Sequence, residues 1–207
     1  MDKVIELDDI KDFTKEYLKC GKYIYRWSDS YIEDRIQLID TCDNLYMIIM
    51  VMGKQDVLGY LNALHNMHKG YEQEIANAIY ARWTMLEKFY DSGMCRTKLL
   101  KFMKMAEKPY GQVNIKYMPK ILKVYRGVRV EDYKGLSWTR NKKVAEWFAN
   151  RDSFLNNKCG YVFSGELARE DIIAKFNGRQ ESEVVCDWKK VRNIQCEKVL
   201  PISKIVV

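Results

Sequence analysis

Through roughly the first 110 residues, apolar positions recur at three- and four-residue intervals, the period of helices with one buried face. Ile10, Phe13, Tyr17 and Leu18 make one stripe in a helix predicted over 8–20, which stops at Gly21, a residue suited to closing a helix. Ser28-Asp29-Ser30 offers an N-cap for a second helix running through Tyr31, Arg35, Leu38, Ile39 and Leu45 toward Gly53. A third is expected over about 55–69 before Gly70, a fourth over 71–92 before Gly93, and a short basic one over about 96–108 before Pro109. Beyond 110 the pattern changes to apolar runs of strand length. Ile121 to Val128 is the first, and Gly135-Leu136-Ser137-Trp138-Thr139 follows. Residues 141–150 return to helical spacing, with Val144, Ala145, Trp147 and Phe148. Gly160 to Leu167, Val184 to Asp187 and about 194–199 read as later strands, while 169–176 leads into a loop at Asn177-Gly178-Arg179. The pattern predicts an α+β chain with a helical N-terminal region, 1–112, and a sheet-bearing region, 113–207. The stretch 107–112, Glu107-Lys108-Pro109-Tyr110-Gly111-Gln112, is the best linker candidate.

Composition changes this picture little. With 207 residues, 47% of them hydrophobic and 30% charged, the chain has a globular balance and length enough to bury a core. Its longest apolar run, Leu45 to Met52, is far below the roughly 20 residues needed to span a bilayer. The opening Met1-Asp2-Lys3-Val4-Ile5-Glu6 carries acids where a secretory leader would be basic, so a cytoplasmic location is expected, with no membrane partner. The six cysteines lack Cys-x-x-Cys spacing and read as reduced core thiols. His65 and His68 have no third ligand nearby in sequence, so no metal is expected; surface positions near a helix C-terminus suit them better.

The formal charge of +7 does change the list of partners. Lys98, Lys101, Lys104 and Lys108 recur at helical intervals and can form one basic stripe. Such a stripe is ordinarily a solvated face. It also suits a phosphate backbone, with binding that weakens steeply as salt rises, or an acidic protein partner.

Candidate chemistry lies in the second half. Gly178-Arg179-Gln180-Glu181-Ser182-Glu183-Val184-Val185 sets two glutamates two residues apart where a turn meets a β-branched run. If the extended conformation reaches back to Glu181, both carboxylates share one face. An arginine followed by a glycine, Arg126-Gly127, lies in the first strand, and glycine lets backbone approach a ligand closely. In chain order this half offers an arginine, a Ser-x-Thr and a Glu-x-Glu.

In that order and type the chain resembles the mono-ADP-ribosyltransferase family, in the branch marked by Arg, then Ser-Thr-Ser, then Glu-x-Glu. The resemblance rests on Tyr125-Arg126-Gly127, on Ser137-Trp138-Thr139 followed by Val144-Ala145-Glu146-Trp147-Phe148-Ala149, and on Glu181-Ser182-Glu183-Val184-Val185. It covers about the last 90 residues. Trp138 occupies the middle of the second motif, Thr139 replaces its last serine, and ten residues separate Arg126 from Ser137, a short gap for the family. The resemblance implies a split β-sheet and NAD as co-substrate. Breaking the nicotinamide–ribose bond passes through an oxocarbenium-like cation, the kind of charge carboxylates stabilise in glycosidases. The family then implies that Glu183 meets that cation and the nicotinamide ribose, with Ser137 fixing its carboxylate. It implies that Arg126 pairs with the pyrophosphate, that Gly127 offers its backbone to the carboxamide, and that Thr139 supports the pocket.

Glu181, Arg179 and Gln180 fall where the family contacts its acceptor. A glutamate at the position of Glu181 is what arginine-modifying members carry, and a base there answers the high pKa of a guanidinium. The same carboxylate suits an exocyclic base amine, so the macromolecular acceptor is protein, with arginine first, or nucleic acid. The helical region then either frames the NAD cleft as part of one domain or binds a target, an antitoxin or a chaperone. By analogy such an enzyme is a bacterial or phage conflict protein, either a toxin or an anti-phage effector. NAD hydrolysis without an acceptor and a non-catalytic binding protein are the remaining alternatives.

Overall fold

The structure is a computed structural model that describes residues 6–20, 28–54, 56–68, 70–86, 93–107, 115–151, 159–177 and 180–199. The chain divides into two compact units, Met1–Lys108 and Pro109–Val207, with the division inside the stretch read as a linker.

The first unit is helical. Helix α1, Leu7–Lys19, opens with a capping box between Glu6 and Asp9 and buries Ile10, Thr14 and Leu18 along one stripe. Thr14 is tolerated in that core because its hydroxyl bonds the Ile10 carbonyl and the Tyr60 hydroxyl, at 2.5 and 2.8 Å. Helix α2, Asp29–Asp40, is capped by Ser28, whose hydroxyl accepts from the Tyr31 amide. The single helix expected to run on toward Gly53 is instead two. Thr41 bonds back to the Leu38 carbonyl, and Asn44 accepts from the Met47 amide to start α3, Leu45–Val51. Short polar side chains that compete for backbone groups end one helix and begin the next.

Helices α4, Val57–Met67, and α5, Glu72–Arg82, follow, and α5 ends well short of the expected 92. A 3-10 turn at Trp83–Met85 takes over, and Leu86 turns extended as its side chain enters the core. Helix α6, Arg96–Met105, completes the unit. Ile48, Ile49, Leu58, Leu61, Leu64, Ile75, Ile79 and Phe102 are its fully buried centre. His65 and His68 are half-buried rather than on the surface, each set edge-on to a phenylalanine, Phe102 and Phe13. Within the basic stripe, Lys98 is tied to the side chains of Asn62 and Asn66, Lys101 and Lys104 are exposed, and Lys108 lies outside the described residues. No described helix is long and apolar enough to cross a membrane.

Among its described residues the second unit is a six-stranded antiparallel sheet with one α-helix. Its strands are β1, Ile121–Val128; β2, Ser137–Thr139; β3, Gly160–Ala168; β4, Ile172–Phe176; β5, Glu183–Cys186; and β6, Arg192–Val199. Their order across the sheet is β4-β5-β2-β1-β3-β6. Strands β1 and β3 pair along their length, from Ile121 opposite Ala168 to Val128 opposite Tyr161. Between β1 and β2 the register has one pair, Tyr125 opposite Thr139. The sheet is therefore two three-stranded halves that meet at one point. Strand β4 replaces the loop approach that the sequence suggests over 169–176: Arg169-Glu170-Asp171, which breaks the apolar pattern, forms a 3-10 turn, and Ile172, Ile173 and Ala174 are buried beyond it.

Helix α7, Lys142–Asn150, starts at Asn141, whose side chain accepts from the Lys143 amide. It lies on the sheet through Ala145 and Ala149, against two glycines. A Cβ on Gly127 would sit 1.7 Å from the Ala145 carbonyl oxygen, and one on Gly160 would sit 2.2 Å from that of Ala149. Backbone meets backbone there, and only glycine permits it. The opposite face carries the main core: Leu122, Val124, Trp138, Phe163, Leu167, Val184 and Cys186. Of the cysteines, only Cys42 and Cys186 are buried; Cys20, Cys95 and Cys196 are exposed, Cys159 is intermediate, and all six are free. Four thiols thus depart from the core placement expected of them, because apolar sequence neighbours do not fix which face of an element a residue takes.

Candidate functional site

One cross-strand row organises the centre of the sheet. Phe176 on β4 lies opposite Glu183 on β5, Glu183 opposite Thr139 on β2, and Thr139 opposite Tyr125 on β1. Paired residues share a face, so Tyr125, Thr139 and Glu183 point the same way, and Ser137, two before Thr139, joins them. The Ser137 hydroxyl donates to Oε1 of Glu183 at 2.5 Å. Glu183 is 7% exposed, too little for bulk water to solvate it freely. A buried carboxylate without partners is costly, and the serine supplies a fixed donor.

Thr139 anchors the turn before β5. Its hydroxyl donates to the Glu181 carbonyl at 2.5 Å and accepts from the Asn141 amide at 3.0 Å. One side chain thus joins the start of α7 to the turn that delivers Glu183. Gln180 and Ser182 both have left-handed backbone, with φ of 58° and 47°. Residues other than glycine adopt it at a cost of roughly 1 kcal/mol or more, and such positions gather at functional sites. The strand begins at Glu183, so the extended conformation does not reach back to Glu181. The shared face predicted for the two glutamates by strand alternation fails for that reason: the left-handed Ser182 breaks the period. Glu181 is half-buried and its direction is set by the turn, Gln180 is exposed, and Arg179 lies outside the described residues.

Arg126 follows Tyr125 and so takes the opposite face, toward Trp138 and Cys186. Its Nη1 donates to the Ser137 carbonyl at 2.6 Å. Gly135 makes the room: a Cβ there would lie 2.1 Å from the guanidinium carbon. The Gly135 carbonyl in turn accepts from the Trp138 indole at 3.0 Å. The guanidinium charge is felt by Cys186, whose thiol burial pushes up to about 12; Asp187 adds to the rise and Arg126 opposes it. Arg126 therefore holds the backbone of the serine that holds Glu183. Gly127 is the point where α7 closes on β1. Gly135 was not singled out in the sequence, and its place two residues before Ser137 was the available signal.

On the other side of Tyr125 a cavity of about 220 Å³ opens over β1, β3 and β6, with Lys123, Lys142, Ser164 and Gln195 among its walls. Lys142 is already paired with Glu197 at 2.8 Å. Among the described residues, no group of three or more His, Cys, Asp or Glu is placed to hold a metal.

Comparison with protein-family models, with curated proteins and with solved structures finds no match. What the site can do rests on its own chemistry. Ser137, Thr139, Glu183 and the Glu181 backbone form one bonded group, Arg126 joins it through the Ser137 carbonyl, and Gly127 stands apart as a packing contact.

Proposed function

We propose that this chain is an NAD-dependent mono-ADP-ribosyltransferase that moves ADP-ribose onto a macromolecule. The observation that carries the reading is the Ser137 hydroxyl bonded to the buried Glu183 carboxylate. A carboxylate fixed before the reaction begins answers positive charge that develops only in the transition state. The bond between nicotinamide nitrogen and ribose C1′ breaks, and its electron pair leaves with nicotinamide. The cation at C1′ is met by Glu183. A lone pair of the acceptor then bonds C1′, and the proton that the acceptor loses passes to Glu181.

The motif order from Arg126 through Ser137 and Thr139 to Glu183, on a sheet whose halves meet at one register pair, supports an ADP-ribosyltransferase fold for the second unit. What supports NAD in this reading is the fixed, buried carboxylate of Glu183; Arg126 lies on the other face and holds the Ser137 carbonyl. In this reading Arg126 serves by holding the Ser137 carbonyl, Gly127 by letting α7 close on β1, and Arg179, Gln180 and Glu181 meet the acceptor. A cytoplasmic conflict protein, a toxin or anti-phage effector held by an antitoxin or chaperone, is the biological role that suits such chemistry.

Labelled NAD incubated with the protein and cell lysate, then separated into protein and nucleic-acid fractions, tests the reading. Label in either fraction that is lost with Glu183→Gln is expected. Free ADP-ribose at full rate without an acceptor would make the protein a glycohydrolase, and no turnover at all would leave a binding protein.

A further inference from the structure

The helical unit buries a cation without pairing it. Arg82, the last residue of α5, is 6% exposed, and its Nε is buried with no hydrogen-bond partner. Its Nη1 donates to two sulfurs, at 3.0 Å to Met50 and 3.8 Å to Met85. No carboxylate pairs with it among the described residues, whereas Lys15 and Lys19 of the same unit each hold one. The carbonyl end of a helix is a favourable place for a cation. A thioether is a weak acceptor, however, and a guanidinium taken out of water without a counter-charge is costly. The arrangement is complete only when an acid is brought to it.

The ground over Arg82 is apolar and open. Met50 and Met85 cover the guanidinium, Tyr46 and Met47 continue from Met50 along the outer stripe of α3, and all four are between 39% and 49% exposed. Residues three and four apart share a helix face, so these side chains form one patch. Leu38, exposed on α2, adds to it near the start of α3, where Thr41 and Cys42 bond back to its carbonyl.

The chain carries an acid on the same ground. Asp43, exposed and outside any ion pair among the described residues, lies just before Asn44, the cap of α3. Arg82 lies at the other end of that helix, against Met50 in its last turn. A seven-residue helix is about 10 Å long, so the two charges do not meet within one molecule. Reversing one copy of α3 against another brings them together. A two-fold axis at Met47, near the middle of the stripe, sets the start of each helix beside the end of its twin, and acid then meets cation twice.

We infer that this patch is an isologous interface with a second copy of the chain, in which α3 packs antiparallel on its twin and Asp43 of each protomer pairs with the partner's Arg82. The methionines over the guanidinium are adaptable side chains that can repack to admit the carboxylate. The interface stands apart from the transferase reading and is tested without NAD.

The experiment is sedimentation equilibrium of the full-length protein over about 1–100 µM, with wild type beside Met47→Glu, Asp43→Asn and Asp43→Lys, each checked by thermal melting. Both positions are exposed, so the variants are expected to melt as wild type does. Wild type is expected to dimerise reversibly, and Met47→Glu to be monomeric because like charges then face each other across the axis. Asp43→Asn is expected to weaken the dimer roughly 30-fold or more, the usual effect of breaking a desolvated charge pair, and Asp43→Lys to weaken it further. With Arg82→Met in the background, Asp43→Asn is expected to have no further effect, which is the signature of a direct pair.

A wild type that is monomeric at every concentration overturns the interface and leaves the patch to a different, acid-bearing protein. A dimer that Met47→Glu and Asp43→Asn leave intact places the contact on another face and overturns it too. An Asp43→Asn effect that persists undiminished beside Arg82→Met overturns the pairing. If Arg82→Met fails to fold, the variants at the two exposed positions still decide the interface.

Discussion

Ser137→Ala is the sharpest perturbation of the proposed site, since it removes one hydroxyl and leaves the β2 backbone in place. That hydroxyl donates to Glu183 at 2.5 Å, and Glu183 is 7% exposed, so water does not readily take its place. A hydrogen bond to a charged partner contributes about 1.5–3 kcal/mol, which corresponds to roughly 10–100-fold in rate if the carboxylate must hold its position in the transition state. The assay is acceptor-free nicotinamide release from NAD, with kcat and KM resolved and thermal melting recorded beside them. The expected result is a fall in kcat of that size with KM little changed, and partial recovery in Ser137→Thr, which keeps a hydroxyl. A Ser137→Ala protein that melts normally and turns over within about twofold of wild type would refute the claim that this bond positions the catalytic acid.

Gly127→Ala brings a Cβ to 1.7 Å from the Ala145 carbonyl and has to displace α7; overpacking of this kind costs about 1–3 kcal/mol or more, so the melting temperature falls, and an unchanged one contradicts the packing. Thr139→Val removes a donor to the Glu181 carbonyl and an acceptor for the Asn141 amide; urea unfolding is expected to show a loss of about 1–3 kcal/mol, with nicotinamide release reduced as the turn before Glu183 loosens. Burial pushes the Cys186 thiol from 9.0 to about 12, so above pH 9 the unfolded chain loses that proton first and the folded one retains it. Stability then falls by up to about 1.4 kcal/mol per pH unit over that window. Urea midpoints at about pH 8 and about pH 10 should separate less in Cys186→Val, and an equal separation counts against the shift.

The limits of legibility follow from what a period can encode. Strand β1 and helix α7 were visible because their apolar spacing is regular, and the Ser28 cap was visible because a cap is a local device. The break between α2 and α3 was missed although Thr41 and Asn44 carry it, since either residue is also tolerated on the exposed face of a longer helix. Strand β4 was hidden behind a charged 3-10 turn. At the site, the residue types and their order were readable, and the Ser137–Glu183 bond is one the family resemblance implies rather than one their spacing dictates. The face of Arg126 was not, because it depends on the Tyr125–Thr139 register, a long-range pairing that one strand's pattern does not contain. Glu181 fell out of phase for a local reason: nothing in a serine announces that Ser182 will be left-handed.

The most direct measurement is nicotinamide release from NAD by purified wild type beside Glu183→Gln, which keeps the shape of the side chain and removes its charge. Wild type is predicted to release nicotinamide, and the variant to do so roughly 10²–10³-fold more slowly, or slower still, while melting as wild type does. Equal release by both proteins, or none by wild type under conditions where it is folded, would contradict Glu183 as the acid that meets the ribosyl cation.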